Sequence, residues 1–202
     1  MSIHSQGARP TGRVGQLIGH AMNLYHTSLY RQYLSQSMPP DHSTILDIGC
    51  GGGRFLKFLA AANHTYQLWG IDHSPEMVEL ALRVNRATAL GDQLKVCEAY
   101  VLDIPLEDST VDVTTAFETI QFWPQLSRAL TEVHRVLKPA GRLIIINRYP
   151  PEGSFWWKKA KLKSDAEYHH ALETAGFTHI STDLDYRRSW IVVEAGAAHE
   201  GS

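Results

Sequence analysis

The fold of this chain is constrained most strongly by a run of glycines between a strand pattern and a helix pattern. Residues 45–55 read ILDIGCGGGRF, in which an apolar run is followed by Gly49, Gly51, Gly52 and Gly53 and then by an apolar helical pattern. Glycine adopts left-handed backbone conformations readily and lets a ligand approach the main chain closely. We therefore predict a strand, a tight turn and a helix, with main-chain N–H groups and the helix N-terminus facing a polar ligand.

Strand and helix patterns alternate along the rest of the chain. An α/β fold with an open, mostly parallel sheet and right-handed crossovers follows from repeated βα units of this kind. Ligands of such sheets bind beyond the carboxyl ends of the strands. The predicted strands are 44–48, 67–71, 93–101, 111–117, 143–147, 178–184 and 190–193, and the predicted helices are 54–62, one that Ser74 caps with Pro75 in its first position, 123–137 and 164–175.

Composition and length bound the class of protein. The 202 residues carry a net charge of −2, which predicts neither nucleic acid nor a membrane as a partner. Cys50 and Cys97 make no disulfide framework, and no signal peptide or apolar run of about 20 residues is present, so we expect a cytoplasmic protein. The histidines are scattered without metal-ligand spacing, so no metal site is predicted. We expect residues 1–40 to form a separate helical segment, 41–194 the main domain and 195–202 a disordered tail.

The glycine spacing discriminates between ligand classes. The phosphate-binding pattern GxxxxGK[ST] is absent, and the dinucleotide pattern GxGxxG fails because Arg54 occupies its sixth position. The pattern that fits is D-x-G-x-G-x-G, which begins at Asp47. A carboxylate there repels a pyrophosphate but suits a ligand that carries ammonium and sulfonium charges. The residues therefore favour S-adenosylmethionine over NAD.

Two further aspartates follow predicted strands. Asp72 ends the second strand, 21 residues after Gly51, where a carboxylate accepts hydrogen bonds from both ribose hydroxyls in nucleotide-binding βαβ units. Asp103 is predicted to end the third strand and to accept the adenine amino group, with Ile104 offering a backbone N–H and an apolar side chain. Each aspartate alone is equally typical of a cap or a turn, but three acids at three successive strand ends indicate a binding site.

The segments ILDIGCGGGRF, WGIDHSPEM, VLDIPLEDSTVDVTTAFETIQFWP and EVHRVLKPAGRLIIIN resemble the consecutive motifs of class I S-adenosylmethionine-dependent methyltransferases, most closely the ubiquinone- and menaquinone-biosynthesis type. The resemblance implies a Rossmann-like seven-stranded sheet with an antiparallel last strand, helices on both faces and an N-terminal helical lid. It also implies S-adenosylmethionine as cofactor, S-adenosylhomocysteine as product and no metal. The cofactor-binding residues are then expected to be Asp47, Gly49, Cys50, Gly51, Gly53, Asp72, His73, Met77, Asp103, Ile104 and Phe117.

Catalytic residues are harder to assign, because methyl transfer is an in-line displacement that depends mainly on orientation. Glu118, after the fourth strand, is a candidate to bind the ammonium of the cofactor, to steady a cationic acceptor or to act as base; the alternative is a solvated loop acid. Tyr25 and His26 of the lid are candidates to face the acceptor, and the pKa of a histidine suits a base near neutrality. A structural or surface role is the alternative for His26.

In the family, the stretch equivalent to 149–165 commonly covers the acceptor. Here its aromatic residues at 155–157 are candidates to wall an apolar acceptor. Its four lysines could attract an acidic substrate, RNA or a membrane, or could form a solvated helix face: Lys158, Lys159, Lys161 and Lys163.

We predict a methyltransferase for a small organic acceptor, with a homodimer as the candidate assembly. The alternatives are a cofactor-binding regulatory protein without activity, a methyltransferase for RNA or protein and, more distantly, an NAD-linked reductase.

Overall fold

The computed structural model describes residues 38–88, 90–185 and 189–198, and the structural statements that follow concern those residues. Most of the predicted N-terminal helical lid, with Tyr25 and His26, lies outside them. The chain divides into two units, residues 1–100 and residues 101–202. The strand order is β3-β2-β1-β4-β5-β7-β6, in a seven-stranded sheet.

The first unit alternates strands and helices. Its strands pair in parallel, β1 with β2 and β2 with β3, as the βα pattern predicts. The two helices pack on each other and on β2. The elements are β1 (Thr44–Ile48), α1 (Arg54–Ala62), β2 (Gln67–Asp72), α2 (Pro75–Asn85), a short 3₁₀ turn (Gly91–Gln93) and β3 (Leu94–Glu98).

Helix α2 begins where its sequence pattern predicts. The residues that the helices bury, however, are not all those that a regular 3.6-residue spacing of apolar residues would place inside. The Ser74 hydroxyl accepts the Met77 N–H at 3.4 Å, and Pro75 occupies the first position. The apolar spacing of α2 alone would place Leu82 on the inner face, yet Leu82 is 49% exposed and Leu80 is buried instead. In α1, Leu56 is fully buried. The apolar residues therefore mark each helix correctly but do not set its rotation.

The second unit completes the sheet. β4 and β5 are parallel, whereas β7 is antiparallel to both β5 and β6. The predicted α/β class, with a mostly parallel seven-stranded sheet and an antiparallel last strand, is thus confirmed. The elements are β4 (Val111–Phe117), a 3₁₀ turn (Ile120–Phe122), α3 (Leu126–Val136), β5 (Leu137–Arg148), α4 (Phe155–Lys159), α5 (Asp165–Thr174), β6 (Phe177–Asp185) and β7 (Trp190–Ala197).

Several element boundaries differ from the predictions: β5 begins at Leu137 and not at 143, α3 begins at Leu126 and not at 123, and the ends of β7 and β3 bear on the tail and on the site. β7 runs to Ala197, so a disordered tail from residue 195 is wrong for 195–197: Ala195 and Ala197 are buried in a paired strand. β3 ends at Glu98, which pairs with Asp72, the last residue of β2. The apolar pattern continues beyond Glu98, but β2 offers no further partner. No helix of the described part of the chain is long and apolar enough to cross a membrane.

Candidate functional site

The glycines of the β1–α1 turn are needed for two different reasons. Gly49, Gly51 and Gly53 have φ values of 71°, 51° and 69°, a region that other residues enter only with strain. A Cβ on Gly51 would meet nothing within 4 Å among the described residues, so in this part of the structure the main chain there borders open space. A Cβ on Gly53 would lie 2.7 Å from the Ala81 Cβ, so this glycine allows α2 to pack on the turn. Gly51 is therefore the position where a ligand can come close.

The N–H groups of this turn are fastened to β2. Gly49 N and Cys50 N both donate to the Ile71 carbonyl, at 2.8 and 3.0 Å, and Gly51 N donates to Oδ2 of Asp72 at 2.9 Å. The prediction that N–H groups of the turn face a ligand is thus wrong for these three. Their hydrogen bonds instead hold the turn in its left-handed shape and join it to the residue predicted to bind ribose.

Asp72 is the centre of this arrangement. Its carboxylate is 7% exposed and accepts two main-chain N–H groups at 2.9 Å, from Gly51 on Oδ2 and from Ser74 on Oδ1. Burial raises the pKa of Asp72, while these hydrogen bonds and the charge of His73 oppose the rise. A carboxylate has about four acceptor positions. The main-chain N–H of His73 also interacts with this carboxylate, and the remaining acceptor capacity is what the hydroxyls of a ribose would use.

Three other predicted residues of the first unit lie around Asp72. Asp47 is 3% exposed in β1 and pairs with Gly70. Cys50 packs over Gly70, where an added Cβ would lie 3.0 Å from its Sγ. Burial raises the pKa of the Cys50 thiol, and the charges of Asp72 and Asp47 raise it further. The thiol is therefore a protonated packing group between two carboxylates. Met77 is buried on α2, next to the Ser74 cap.

An aromatic residue that the sequence analysis missed also belongs to this edge. The His73 Nδ1 lies 3.7 Å from the Asp72 Oδ1, and the His73 ring is 6.1 Å from the ring of Tyr100. Tyr100 follows β3 and is 52% exposed. The sequence offered no signal for it, because the predicted third strand ran to residue 101 and so included Tyr100. His73 and Tyr100 thus offer two ring surfaces beside the Asp72 carboxylate.

The structure changes the account of Asp103 and Ile104. Because β3 ends at Glu98, Asp103 lies in the loop beyond the strand and does not end it. The Ile104 N–H donates to Oε1 of Glu132 at 2.9 Å, and the Ile104 side chain is 2% exposed. The N–H predicted to be available to adenine therefore already has a partner. Glu132, on α3, was not singled out from the sequence.

Phe117 ends β4, and Glu118 follows it with a φ of 55°. The Glu118 side chain is 10% exposed, and its Oε1 accepts from Nε of Arg148 at 2.6 Å. The alternative of a solvated loop acid is therefore wrong. The Arg148 guanidinium also lies 5.3 Å from the ring centre of Trp190. The Glu118 carboxylate is therefore held in an ion pair with a guanidinium that also lies over an aromatic ring.

The 149–165 stretch contains α4, a single short helix. Phe155 and Trp156 are 52% and 57% exposed, with their rings edge to face at 5.4 Å. Lys163 lies 4.5 Å from the Trp157 ring centre, and Lys161 donates to the carbonyl of Trp123. At least these two lysines have defined contacts, so the stretch is not a uniformly solvated basic face.

Among the residues with a described position, no three or more histidine, cysteine, aspartate or glutamate side chains form a group that could hold a metal ion. The expectation of no metal therefore stays a prediction.

Comparison with known proteins extends this account. A family model described as "Methyltransferase domain" matches residues 46–145. The chain is 34% identical over 100 residues to a sterol 4-C-methyltransferase of Caenorhabditis elegans, covering 50% of this chain and 29% of that protein. It is 27% identical over 135 residues to the demethylmenaquinone methyltransferase of Lactiplantibacillus plantarum, covering 64% and 57%.

Among solved structures, a SAM-dependent methyltransferase from Aquifex aeolicus is similar, with a TM-score of 0.73, 24% identity and coverage of 84% of this chain and 89% of that one. At that identity the likeness shows the fold. The matches to the two curated relatives span 29% and 57% of their length. The family model covers the glycine turn, Asp72, Asp103 and the strands that follow them, so residues 46–145 of the chain match a methyltransferase domain.

Proposed function

We propose that this protein transfers the methyl group of S-adenosylmethionine to a small organic acceptor. The observation that carries the proposal is the edge formed by β1 and β2. There, Gly51 borders open space and its N–H holds the Asp72 carboxylate, which keeps acceptor positions for a ribose. An edge that presents carboxylates rather than phosphate-binding groups fits a cationic nucleoside better than a pyrophosphate.

Several residues of the chain fit the cofactor by their chemistry. Asp72 would accept the ribose hydroxyls, and the ring surfaces of His73 and Tyr100 would flank the nucleoside. The resemblance to the family assigns the adenine amino group to Asp103. When bound, the cofactor supplies an electrophilic methyl carbon: the acceptor forms a bond to it as the carbon–sulfur bond breaks and the sulfur keeps the electron pair. The task of the protein is to orient the acceptor in line with that bond.

An apolar or aromatic acceptor is the class that we propose. One curated relative carries demethylmenaquinone in its name, and another a sterol. The half-exposed rings of Phe155 and Trp156 on α4 are of the kind that would contact such a molecule. Tyr25 and His26 lie outside the described residues and stay candidates to face the acceptor, and Glu118 stays a candidate of the same kind. The cytoplasmic location and the homodimer likewise stay predictions.

Transfer of an isotopically labelled methyl group tests the proposal. The purified protein is incubated with methyl-labelled S-adenosylmethionine and separate panels of demethylated quinones, phenols and amines, with RNA and a protein mixture as further acceptors. Label in a small acceptor, greatly reduced in Asp72→Asn, is the expected result. Label in RNA or protein alone would contradict the acceptor class. Tight cofactor binding without transfer to any acceptor would favour the regulatory alternative.

A further inference from the structure

We infer that Glu132 and Arg135 of α3 are positioning residues that hold the loop from Asp103 to Asp108 and thereby set the selectivity of the protein for adenine over a deaminated base. The inference rests on the proposed function, because it concerns the same cofactor. It goes beyond that function by assigning a role to two residues that lie 29 and 32 positions after Asp103 in the chain.

The two side chains bind the main chain of the loop at three points. Glu132 Oε1 accepts the Ile104 N–H at 2.9 Å. Arg135 Nη2 donates to the Ile104 carbonyl at 3.1 Å, and Arg135 Nη1 donates to the Leu106 carbonyl at 2.9 Å. Both polar groups of Ile104 are therefore engaged, and Ile104 follows Asp103 directly.

The pair is itself held rigidly. Arg135 Nε and Nη2 donate to the two oxygens of Glu132 at 2.8 and 2.7 Å, in a two-point contact that fixes both planes. Arg135 Nη1 also reaches Asp108 Oδ1 at 2.6 Å. The hydrogen bond from Arg135 is the main reason that the pKa of Glu132 is lowered, so both groups remain charged near neutrality.

The helix that carries the pair is a firm support. α3 buries Ala129, Leu130, Val133 and Val136, of which each is 0% exposed. Glu132 and Arg135 extend from the other side of this packed helix. The loop that they hold contains no helix or extended strand. A functional group on a loop keeps its position only as well as the residues that support it.

The position of the Asp103 carboxylate matters because adenine and hypoxanthine carry different substituents at ring position 6. The 6-amino group of adenine donates a hydrogen bond to a carboxylate, whereas the 6-carbonyl of hypoxanthine is an acceptor and is repelled by it. Asp103 discriminates between the two only while its carboxylate stays in the plane and reach of that substituent. A loosened loop lets the carboxylate move aside, which weakens binding of the adenine ligand and relieves the repulsion of the deaminated one.

The test is a comparison of two ligands by calorimetry: S-adenosylhomocysteine and S-inosylhomocysteine, which differ at this substituent and at the adjacent ring nitrogen. Wild type should prefer the adenine ligand by roughly ten- to a hundredfold, the value of one hydrogen bond to a charged group. Arg135→Lys should lower that preference by about tenfold, since a lysine cannot bind both carbonyls and both Glu132 oxygens. Glu132→Ala should act in the same direction, and Glu132→Gln, which keeps an oxygen for the Ile104 N–H, should restore part of the preference.

Arg83→Lys is the matched control, because Arg83 forms a comparable pair with Glu79 on the exposed face of α2, at 2.8 Å. It should leave the preference unchanged. If Arg135→Lys and Glu132→Ala weaken both ligands by the same factor, the pair has only a structural role and the inference is overturned. Equal binding of both ligands by wild type would also overturn it, while leaving the proposed function intact. Failure of wild type to bind either ligand would instead refute the proposed function, and the inference with it.

Discussion

Alanine substitutions at three glycines separate backbone strain, packing and ligand access. Gly51, Gly53 and Gly91 all have positive φ values, of 51°, 69° and 53°. Within the part of the chain that the structure describes, a Cβ meets nothing within 4 Å at Gly51 or Gly91, but it clashes at Gly53. Gly91 lies in the 3₁₀ turn before β3 and outside the proposed site. Gly91→Ala therefore measures the strain alone.

The structure sets the expected magnitudes. Alanine in a left-handed conformation costs roughly 1–2 kcal/mol, which is the whole effect expected for Gly91→Ala and Gly51→Ala on the free energy of unfolding. At Gly53 the Cβ would lie 2.6 Å from the Asn85 Nδ2 and 2.9 Å from the Ala81 Cα. Overpacking adds about 1–3 kcal/mol there, because α2 itself must shift. Loss of the 2.9 Å hydrogen bond from Asn85 to the Gly53 carbonyl adds about 1 kcal/mol.

Urea denaturation and calorimetric titration with S-adenosylhomocysteine make up the assay. We expect Gly53→Ala to be the least stable variant, and Gly51→Ala and Gly91→Ala to be about equally stable. Gly91→Ala should bind the ligand as wild type does, whereas Gly51→Ala should bind it roughly tenfold more weakly or worse, because the new methyl group occupies the space of the ligand. Wild-type affinity in Gly51→Ala would refute the assignment of that space to the cofactor.

Three further predictions concern stability and are checked by urea denaturation. Because burial raises the pKa of Asp72 above 3.8, wild type should lose stability relative to Asp72→Asn as the pH rises from about 4 toward neutrality. If the difference in stability between the two proteins does not change with pH, the effect of burial on this pKa is contradicted. Burial raises the pKa of Tyr168 to about 12 from 10.0. Wild type should therefore lose up to about 3 kcal/mol relative to Tyr168→Phe between pH 10 and 12, although the variant is less stable at pH 7 because Asn147 loses its acceptor. Ala140→Gly should raise the free energy of unfolding by about 1 kcal/mol, since Ala140 has a φ of 63°; a loss would disprove the strain.

Features that depend on neighbouring residues in the chain were predictable from the sequence. The Ser74 cap with Pro75 behind it, the left-handed glycines and the 3.6-residue period of α3 are local patterns, and each is present in the structure. The place of Asp72 at the end of β2 was also predictable, because the strand pattern stops there.

Features that depend on distant partners were not predictable. Leu56 is buried because it packs on Gly70, a contact that the period of α1 does not encode. β3 ends at Glu98 because β2 ends opposite it, although the apolar pattern runs on. The partner of the Ile104 N–H lies 28 residues away on another element. Such contacts depend on how the strands and helices assemble, and the secondary-structure propensity of a single segment does not predict them.

The central claim is that the edge around Gly51 and Asp72 binds S-adenosylmethionine rather than a dinucleotide. Calorimetric titration of the wild-type protein with S-adenosylhomocysteine and, separately, with NADH tests it most directly. The account predicts saturable binding of S-adenosylhomocysteine at micromolar concentrations and no heat of binding with NADH. Binding of NADH, or no binding of S-adenosylhomocysteine, would contradict it.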